Sequence, residues 1–315
     1  MKVLMIGRNK SIAFDELQRY WGEVSFIKPP QLIKPRRYDL IIAQEPTLRI
    51  GIYAYLLSKI TGAKLILEVH ADYLESGLTP LQKRIAEYLL KRCSLVRAVS
   101  LKIAEDIKRL GAKNIVMIPS IYVKTDIFRP LKNHSSRRPI ILSIGRLVKQ
   151  KNFPLLLSAF KKVEEEISEA ELVIHGRGPQ EKEILYLARK LGLKNFKLFT
   201  QWLPEEELVN LYNEAALLAI TSKYEGGPRV AFEAGACHTP FVSTRVGILT
   251  EVARHGLHGF FADKPGEFAE KIITLIQDPL LREKMGENFR KLVKESFEWC
   301  KSIRKYAECY LSIIC

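Results

Sequence analysis

Residues 215–233 read AALLAITSKYEGGPRVAFE, and this one stretch holds a strand, a turn and the start of a helix. The apolar run from Ala215 to Ile220 predicts a buried strand. Gly226, Gly227 and Pro228 predict a tight turn, and Pro228 suits the first helical position, where its missing N–H is not needed. Glu233 then falls on the first turns of that helix. A strand, a glycine turn and a helix N-terminus together make an anion site, because unpaired N–H groups and the helix dipole point at one spot. Two carboxylates, Glu225 and Glu233, flank that spot and would repel a bare phosphate. The combination implies a ligand carrying hydroxyls as well as phosphates.

The same alternation runs outward in both directions. Short apolar runs at Val3–Ile6, Leu40–Ala43, Leu65–Val69, Leu95–Val99 and Val116–Ile118 predict strands, with helices near 48–60, 81–91 and 102–110 between them. The polar stretch KNHSSRRP at 132–139 reads as a linker. Beyond it the pattern restarts, with strands at Ile140–Ile144, Leu172–His175, Phe196–Phe199 and Leu217–Ile220 and helices near 153–166, 180–191 and 205–213. From Gly266 onward the chain is helical and charged. Strand–helix repetition on both sides of a linker predicts an α/β protein of two doubly wound, mainly parallel sheets facing across a cleft, where ligands bind at the carboxyl ends of strands.

The bulk properties narrow the function class. A chain of 315 residues makes two domains most simply, and no apolar stretch approaches the ~20 residues that span a bilayer. The opening MKVLMIGRNK runs straight into a strand, which predicts a cytoplasmic protein. The five cysteines, Cys93, Cys237, Cys300, Cys309 and Cys315, form no CxxC pair and predict reduced, mostly buried thiols. Net charge is +15, and residues 1–130 hold 22 Lys and Arg against 12 Asp and Glu, two thirds of the excess. That field favours an anionic partner or belongs to a solvated Lys-rich surface. No aromatic-basic interleaving marks nucleic-acid recognition, so no nucleic acid is expected.

Further motifs converge on phosphate chemistry. Ser143-Ile144-Gly145-Arg146-Leu147 is followed by Lys151 and a helix. Gly145 lets a ligand approach, and the Arg146 guanidinium and Lys151 ammonium suit a diphosphate whose charge grows as it leaves. His175-Gly176-Arg177-Gly178-Pro179 repeats the strand–glycine–helix join, and in Gln201-Trp202-Leu203-Pro204-Glu205 the tryptophan is expected to pack its loop rather than line a base pocket. Glu68-Val69-His70-Ala71-Asp72 follows another strand; His70 and Asp72 have too few partners to hold a metal, and no metal is expected.

GRLVKQKNFPLLLSAF, the GRGP turn, QWLPEEEL and EGGPRVAFEAGACHTPFVSTRVG occur in an order that resembles family 4 retaining glycosyltransferases of the two-domain GT-B fold. The resemblance covers roughly residues 60–315, through AVSLKIAEDIKRLGAKNIVMIPS and DIFRP upstream and Phe297-Glu298-Trp299 downstream. It implies an acceptor-side Rossmann-like domain at 1–131, a linker at 132–139 and a nucleotide-sugar domain at 140–296. A last helix at about 297–315 would cross back to the first domain. It assigns Glu225 and His70 to the reacting sugar, Arg146, Lys151, Gly226 and Gly227 to the donor diphosphate, and Glu233 to the ribose. Arg8 and Asp72 are candidates for acceptor or phosphate contact. It implies metal-independent transfer of a hexose from a nucleotide diphosphate sugar, with no further cofactor, to a glycan or lipid-linked acceptor in cell-envelope synthesis. An anionic membrane surface on the inner face is a further expected partner, and the helix near 78–92 is its candidate contact or an ordinary core-facing helix. A non-catalytic GT-B scaffold is the alternative.

The chain departs from that pattern at four places. Gly7-Arg8-Asn9-Lys10 stands where relatives carry a diglycine loop, and Ser120-Ile121 where they carry Asn-Gly. His238 replaces a glycine common after the second glutamate's helix, and Arg177 replaces an acidic residue in the GRGP turn.

Overall fold

Buried runs of β-branched and aliphatic residues, the mark of parallel strands covered on both faces, recur through two separate stretches of the chain. The structure, a computed structural model, describes all residues except 11–12, 30, 32–35, 48, 71–78, 132–136 and 315. It divides into one unit of residues 1–120 with 300–315, and a second of residues 121–299.

In the first unit the strands are β1 (Lys2–Ile6), β2 (Glu23–Ile27), β3 (Leu40–Ala43), β4 (Lys64–Val69), β5 (Leu95–Ala98) and β6 (Ile115–Met117). They pair in the order β2-β1-β3-β4-β5-β6, every pair parallel. The helices are α1 (Phe14–Trp21), α2 (Gly51–Thr61), α3 (Pro80–Leu90) and α4 (Leu101–Arg109). Local chemistry sets their ends. Thr79 and Gln82 form a reciprocal capping box on α3, with Pro80 at its start, and Ser100 caps α4.

The second unit holds β7 (Ile140–Ile144), α5 (Phe153–Glu166), β8 (Glu171–His175), α6 (Glu181–Lys190), β9 (Phe196–Phe199), α7 (Glu205–Glu214), β10 (Leu217–Ile220) and α8 (Arg229–Ala236). Then follow β11 (Phe241–Ser243), α9 (Gly247–Val252), β12 (Gly259–Phe261), α10 (Pro265–Gln277) and α11 (Pro279–Ser296). The sheet order is β12-β11-β10-β7-β8-β9, again all parallel. Alternation sorts its side chains: Leu142, Val173 and Leu218 face a core with Phe232 and Phe289, while Ile141, Leu172 and Leu217 face one with Phe160 and Phe268. The last helix, α12 (Trp299–Leu311), carries the chain back into the first unit. There Trp21 stacks on Tyr310 with centroids 5.7 Å apart, and its Nε1 donates to the Ala307 carbonyl at 3.1 Å.

The structure divides ahead of the expected boundary at 131, and residues 132–136 of the expected linker at 132–139 lie outside the described residues. The second unit begins at Ile121, because Ile121, Val123 and Phe128 lie in its core. Val123 also exchanges backbone hydrogen bonds with Phe297 (2.8 Å) and Trp299 (2.9 Å). Arg137, read as part of a polar linker, is buried, and the first unit resumes at Cys300, where a crossover at about 297 was expected. Strands β2, β11 and β12 and helices α1 and α9 escaped the sequence pattern. Of the described cysteines only Cys237 is buried; Cys300 is exposed.

Candidate functional site

In a doubly wound sheet, ligands bind outside the carboxyl ends of the two strands where the winding reverses. In the second unit that point lies between β7 and β10, which are paired neighbours. Gly145 and Arg146 follow β7, and Thr221 to Glu225 follow β10. A short 3-10 turn, Lys149–Lys151, bridges them. Three bonds stitch the bridge: Thr221 Oγ1 donates to the Lys151 carbonyl at 2.8 Å, Lys223 N to the Gln150 carbonyl at 2.8 Å, and Gln150 Nε2 to the Tyr224 carbonyl at 2.6 Å.

Lys151 Nζ meets Glu225 Oε1 at 2.7 Å, and both side chains are largely buried. Ser222 Oγ donates to the same carboxylate oxygen, and Thr244 Oγ1 holds the Ser222 carbonyl at 2.6 Å. A Cβ on Gly145 would lie 3.0 Å from Lys151 Cε, so the missing side chain makes room for the lysine stem. Lys151 and Glu225, expected to divide between diphosphate and sugar, thus sit joined as an ion pair. Arg146 is exposed, and its side chain has no partner among the described residues.

Close backbone approach explains the neighbouring glycines. A Cβ on Gly176 would lie 1.8 Å from the Gly145 carbonyl oxygen, and one on Gly178 2.4 Å from that of Leu147. The GRGP turn therefore packs directly under the loop after β7, where Leu147 N donates to the Arg177 carbonyl at 2.8 Å. On the other side Gly247 takes φ +48°, and its Cβ would strike the carbonyl oxygens of Glu225 and Gly226 at 2.4 and 2.5 Å. The N–H groups of Gly226 and Gly227 have no acceptor among the described residues. Pro228 occupies the cap of α8, one position earlier than expected.

Glu233 lies beneath this turn. Tyr212 Oη donates to its Oε2 at 3.0 Å, and Arg229 Nε lies 2.7 Å from its Oε1. Burial raises the Glu233 pKa, against the opposing pull of Arg229 and the Tyr212 hydrogen bond. Trp202 does not pack its loop as expected: it is 75% exposed.

In the first unit His70 follows β4, and both ring nitrogens are engaged. Nε2 lies 3.1 Å from Glu68 Oε2 and Nδ1 lies 3.1 Å from Ser120 Oγ. A carboxylate only accepts, so Nε2 carries a proton, and Nδ1 pairs with the Ser120 hydroxyl. Glu68 is fully buried; its Oε1 accepts from Arg97 (3.0 Å), Tyr306 (2.6 Å) and Tyr310 (2.7 Å). Burial pushes its pKa up, but the Arg97 guanidinium and the bonds from His70 and Tyr306 outweigh that and hold it far below the carboxylate range. Arg97 Nη2 closes the ring by donating to Ser120 Oγ at 3.0 Å. Arg8 is held by Glu45 at 2.8 and 3.0 Å, and Asp72 lies outside the described residues. Ser222, Thr244 and Arg97 were not singled out by the sequence, and Ser120 was noted only as a departure from the family pattern; of the missed residues Arg97, a lone charge in a buried strand, left a readable trace.

The chain is similar to known proteins in sequence and in fold. The chain is 28% identical over 279 residues to N-acetyl-alpha-D-glucosaminyl L-malate synthase of Bacillus anthracis, covering 84% of this chain and 72% of that protein. It is 24% identical over 259 residues to alpha-D-kanosaminyltransferase of Streptomyces kanamyceticus, covering 75% and 67%. Anabaena HepE in complex with UDP superposes with a TM-score of 0.83 at 19% identity, over 99% of this chain and 100% of that one. Sucrose-phosphate synthase of Thermosynechococcus elongatus gives 0.82 at 17%, over 99% of each chain. These structures share the fold, two Rossmann-like domains of the GT-B class. Residues 124–292, more than half of the chain, match the family described as glycosyl transferases group 1. The chain belongs to the glycosyl transferases group 1 family.

Proposed function

We propose that the chain is a retaining, metal-independent glycosyltransferase that moves a hexose from a nucleotide diphosphate sugar to a glycan or lipid-linked acceptor. Its setting would be cell-envelope synthesis at the cytoplasmic face of an anionic membrane. The observation that carries this reading is the Lys151–Glu225 pair at the carboxyl ends of β7 and β10. Opposite charges are held at one point and are there to be exchanged for ligand. The arriving diphosphate takes Lys151 and the exposed Arg146, which neutralise the leaving group. Glu225 is released to the sugar, where positive charge develops at the reacting carbon. The free N–H groups of Gly226 and Gly227 complete the anion contact. Glu233 serves the ribose from beneath the turn. His70, with Nε2 fixed by Glu68, exchanges the Ser120 hydroxyl for a sugar hydroxyl at Nδ1. Arg8 and Asp72 remain candidates on the acceptor side. The relatives that transfer sugars and the fold neighbour that holds UDP support a nucleotide-sugar donor.

Donor binding and donor hydrolysis test the proposal. A matching UDP-, GDP- or ADP-sugar at about a hundred times its Kd stabilises by about 2.7 kcal/mol, a rise of a few degrees in Tm. Glu225→Gln should lower kcat for hydrolysis by about 10² to 10³, and Lys151→Ala should also weaken donor binding. A scaffold would bind a donor yet show no hydrolysis to lose; no thermal shift with any nucleotide sugar would sink both readings.

A further inference from the structure

Helices α2 and α3 lie side by side in the first unit and leave an open groove of about 400 Å³ between them. Its walls are almost wholly apolar: Ile52, Tyr55, Ile85, Tyr88 and Leu89 line it. The spacing explains the face. Ile52, Tyr55, Leu56, Lys59 and Ile60 form one stripe of α2, and Leu81, Arg84, Ile85, Tyr88 and Arg92 continue the matching stripe of α3. Large apolar side chains stand out from it: Leu56 is 54%, Ile60 69% and Leu81 64% exposed. Such a run is unusual on a surface that only meets water.

The rim is basic. Lys59, Arg84 and Arg92 are exposed, and none has a carboxylate partner among the described residues. Elsewhere in the same unit Arg8, Lys10, Arg19, Arg36 and Arg109 each face an acid. Two of the rim cations lean on the groove's own aromatics: the Arg92 guanidinium sits 3.8 Å from the Tyr88 ring and Lys59 Nζ 5.4 Å from that of Tyr55. Aliphatic stems along an apolar floor with charged heads at the edge is the arrangement that suits a headgroup boundary. The excess of basic residues in 1–130 adds a long-range field that attracts an anionic surface.

We infer that the α2–α3 face is the membrane-docking surface, taking the headgroup and upper acyl layer of an anionic bilayer. Leu56, Ile60 and Leu81 enter the layer, and Lys59, Arg84 and Arg92 meet lipid phosphates. The inference rests on the proposed action at a membrane and names the surface responsible. Among the described residues no helix is long and apolar enough to cross a membrane, so contact through this face is peripheral.

The full chain is sedimented with vesicles of phosphatidylcholine alone and of phosphatidylcholine with phosphatidylglycerol. Binding is expected only to the anionic vesicles, and it should fall as salt rises. Arg84→Gln with Arg92→Gln should lower partitioning about 25-fold, roughly fivefold for each charge. Leu56→Ser with Ile60→Ser should lower it as well, with donor-induced thermal stabilisation unchanged in both variants. If the parent binds anionic vesicles and the variants bind equally well, this face is not the contact although the membrane reading stands. If the parent binds neither vesicle, the membrane reading itself fails. If the parent is a dimer in sedimentation velocity and the Leu56 and Ile60 variant is a monomer, the face takes a second copy, and the inference is overturned.

Discussion

The two units are built on one plan, six parallel strands covered by helices, and both bury arginine, Arg97 in the first and Arg137 and Arg282 in the second, but Arg97 and Arg137 are neutralised differently. In the first, Arg97 on β5 faces Glu68 on β4 in register, and the pair is completed by Tyr306 and Tyr310 from α12. In the second, Arg137 has no carboxylate partner among the described residues. It donates to the carbonyls of Tyr212, Ala215 and Cys237 at 3.3, 3.2 and 2.6 Å and to Thr239 Oγ1 at 2.6 Å. These carbonyls close α7 and α8, so the negative ends of two helix dipoles stand in for an acid. Desolvation still tells: burial lowers the Arg137 pKa to about 10. A parallel sheet can therefore hold a buried cation with a counter-charge that brings in a distant helix, or with dipoles its own helices already supply.

Removing each arginine tests that contrast most severely. Arg97→Met leaves Glu68 charged, buried and short of its main partner, which should cost about 3–5 kcal/mol. Adding Glu68→Gln should recover a large part. Arg137→Met leaves unsatisfied carbonyls but no orphan charge, and should cost about 1–3 kcal/mol. Urea unfolding gives the totals, and hydrogen exchange should place the first loss in β4, β5 and α12 and the second in α7, α8 and β7. Equal costs, with no rescue by the double variant, would show that the carboxylate and the helix ends are equivalent and break the comparison.

Acid should separate the units next. In the second unit burial lowers the pKa of His175, His258 and His238, that of His238 to about 4, with Arg177, Arg254 and Arg290 adding to it in turn. A histidine kept neutral in the folded state costs stability once the unfolded chain takes up its proton. That loss begins below about pH 6.5 and is complete, for His238, by about pH 4. Glu233, raised by burial, opposes it only in the carboxylate range. Glu68 behaves in the opposite sense. Its depressed pKa gives stability that is fully present above about 4.5, the ordinary value, and is lost only as pH falls below it. Pulse proteolysis with fragment identification should thus find the second unit weakened between about pH 7 and about pH 5, and the Glu68-centred part of the first weakened only below that range. Loss of the Glu68 cluster before the second unit would contradict the assignment.

The contrast also explains what the sequence revealed. Long apolar runs such as Leu65–Val69 and Leu217–Ile220 were legible because parallel strands bury both faces. Strands β11 and β12 are three residues each, too short for any period to register. The division at Ile121 was not legible, because nothing in the composition around it differs from its neighbours, and the burial of Arg137 was not, because only tertiary structure shows four acceptors converging on it. At the candidate site, Glu225, Lys151 and the glycines stand out in the sequence through strand–turn–helix chemistry. The Lys151–Glu225 pairing was not, since it depends on β7 and β10 lying side by side. The Glu68 cluster was less legible still: Tyr310 stands 242 residues away.

His238 gives the smallest and sharpest test, because there the sequence showed a departure and the backbone shows its cost. After α8, His238 N donates to the Gly235 carbonyl at 3.0 Å and Thr239 N to that of Ala234 at 2.9 Å. These two bonds define a Schellman ending, whose next residue must take a left-handed conformation. His238 does so at φ 63°, where glycine has no Cβ to strain. His238→Gly should remove the strain but add freedom to the unfolded chain, for a net gain of about 0.5 kcal/mol near neutral pH. Near pH 5 the gain should be larger, because the imidazole that resists protonation in the folded state is gone. Urea unfolding at the two pH values measures both parts. A loss at both would mean that the imidazole's contacts outweigh the backbone strain, whereas a gain that does not grow on acidification would remove His238 from the acid sensitivity of the second unit.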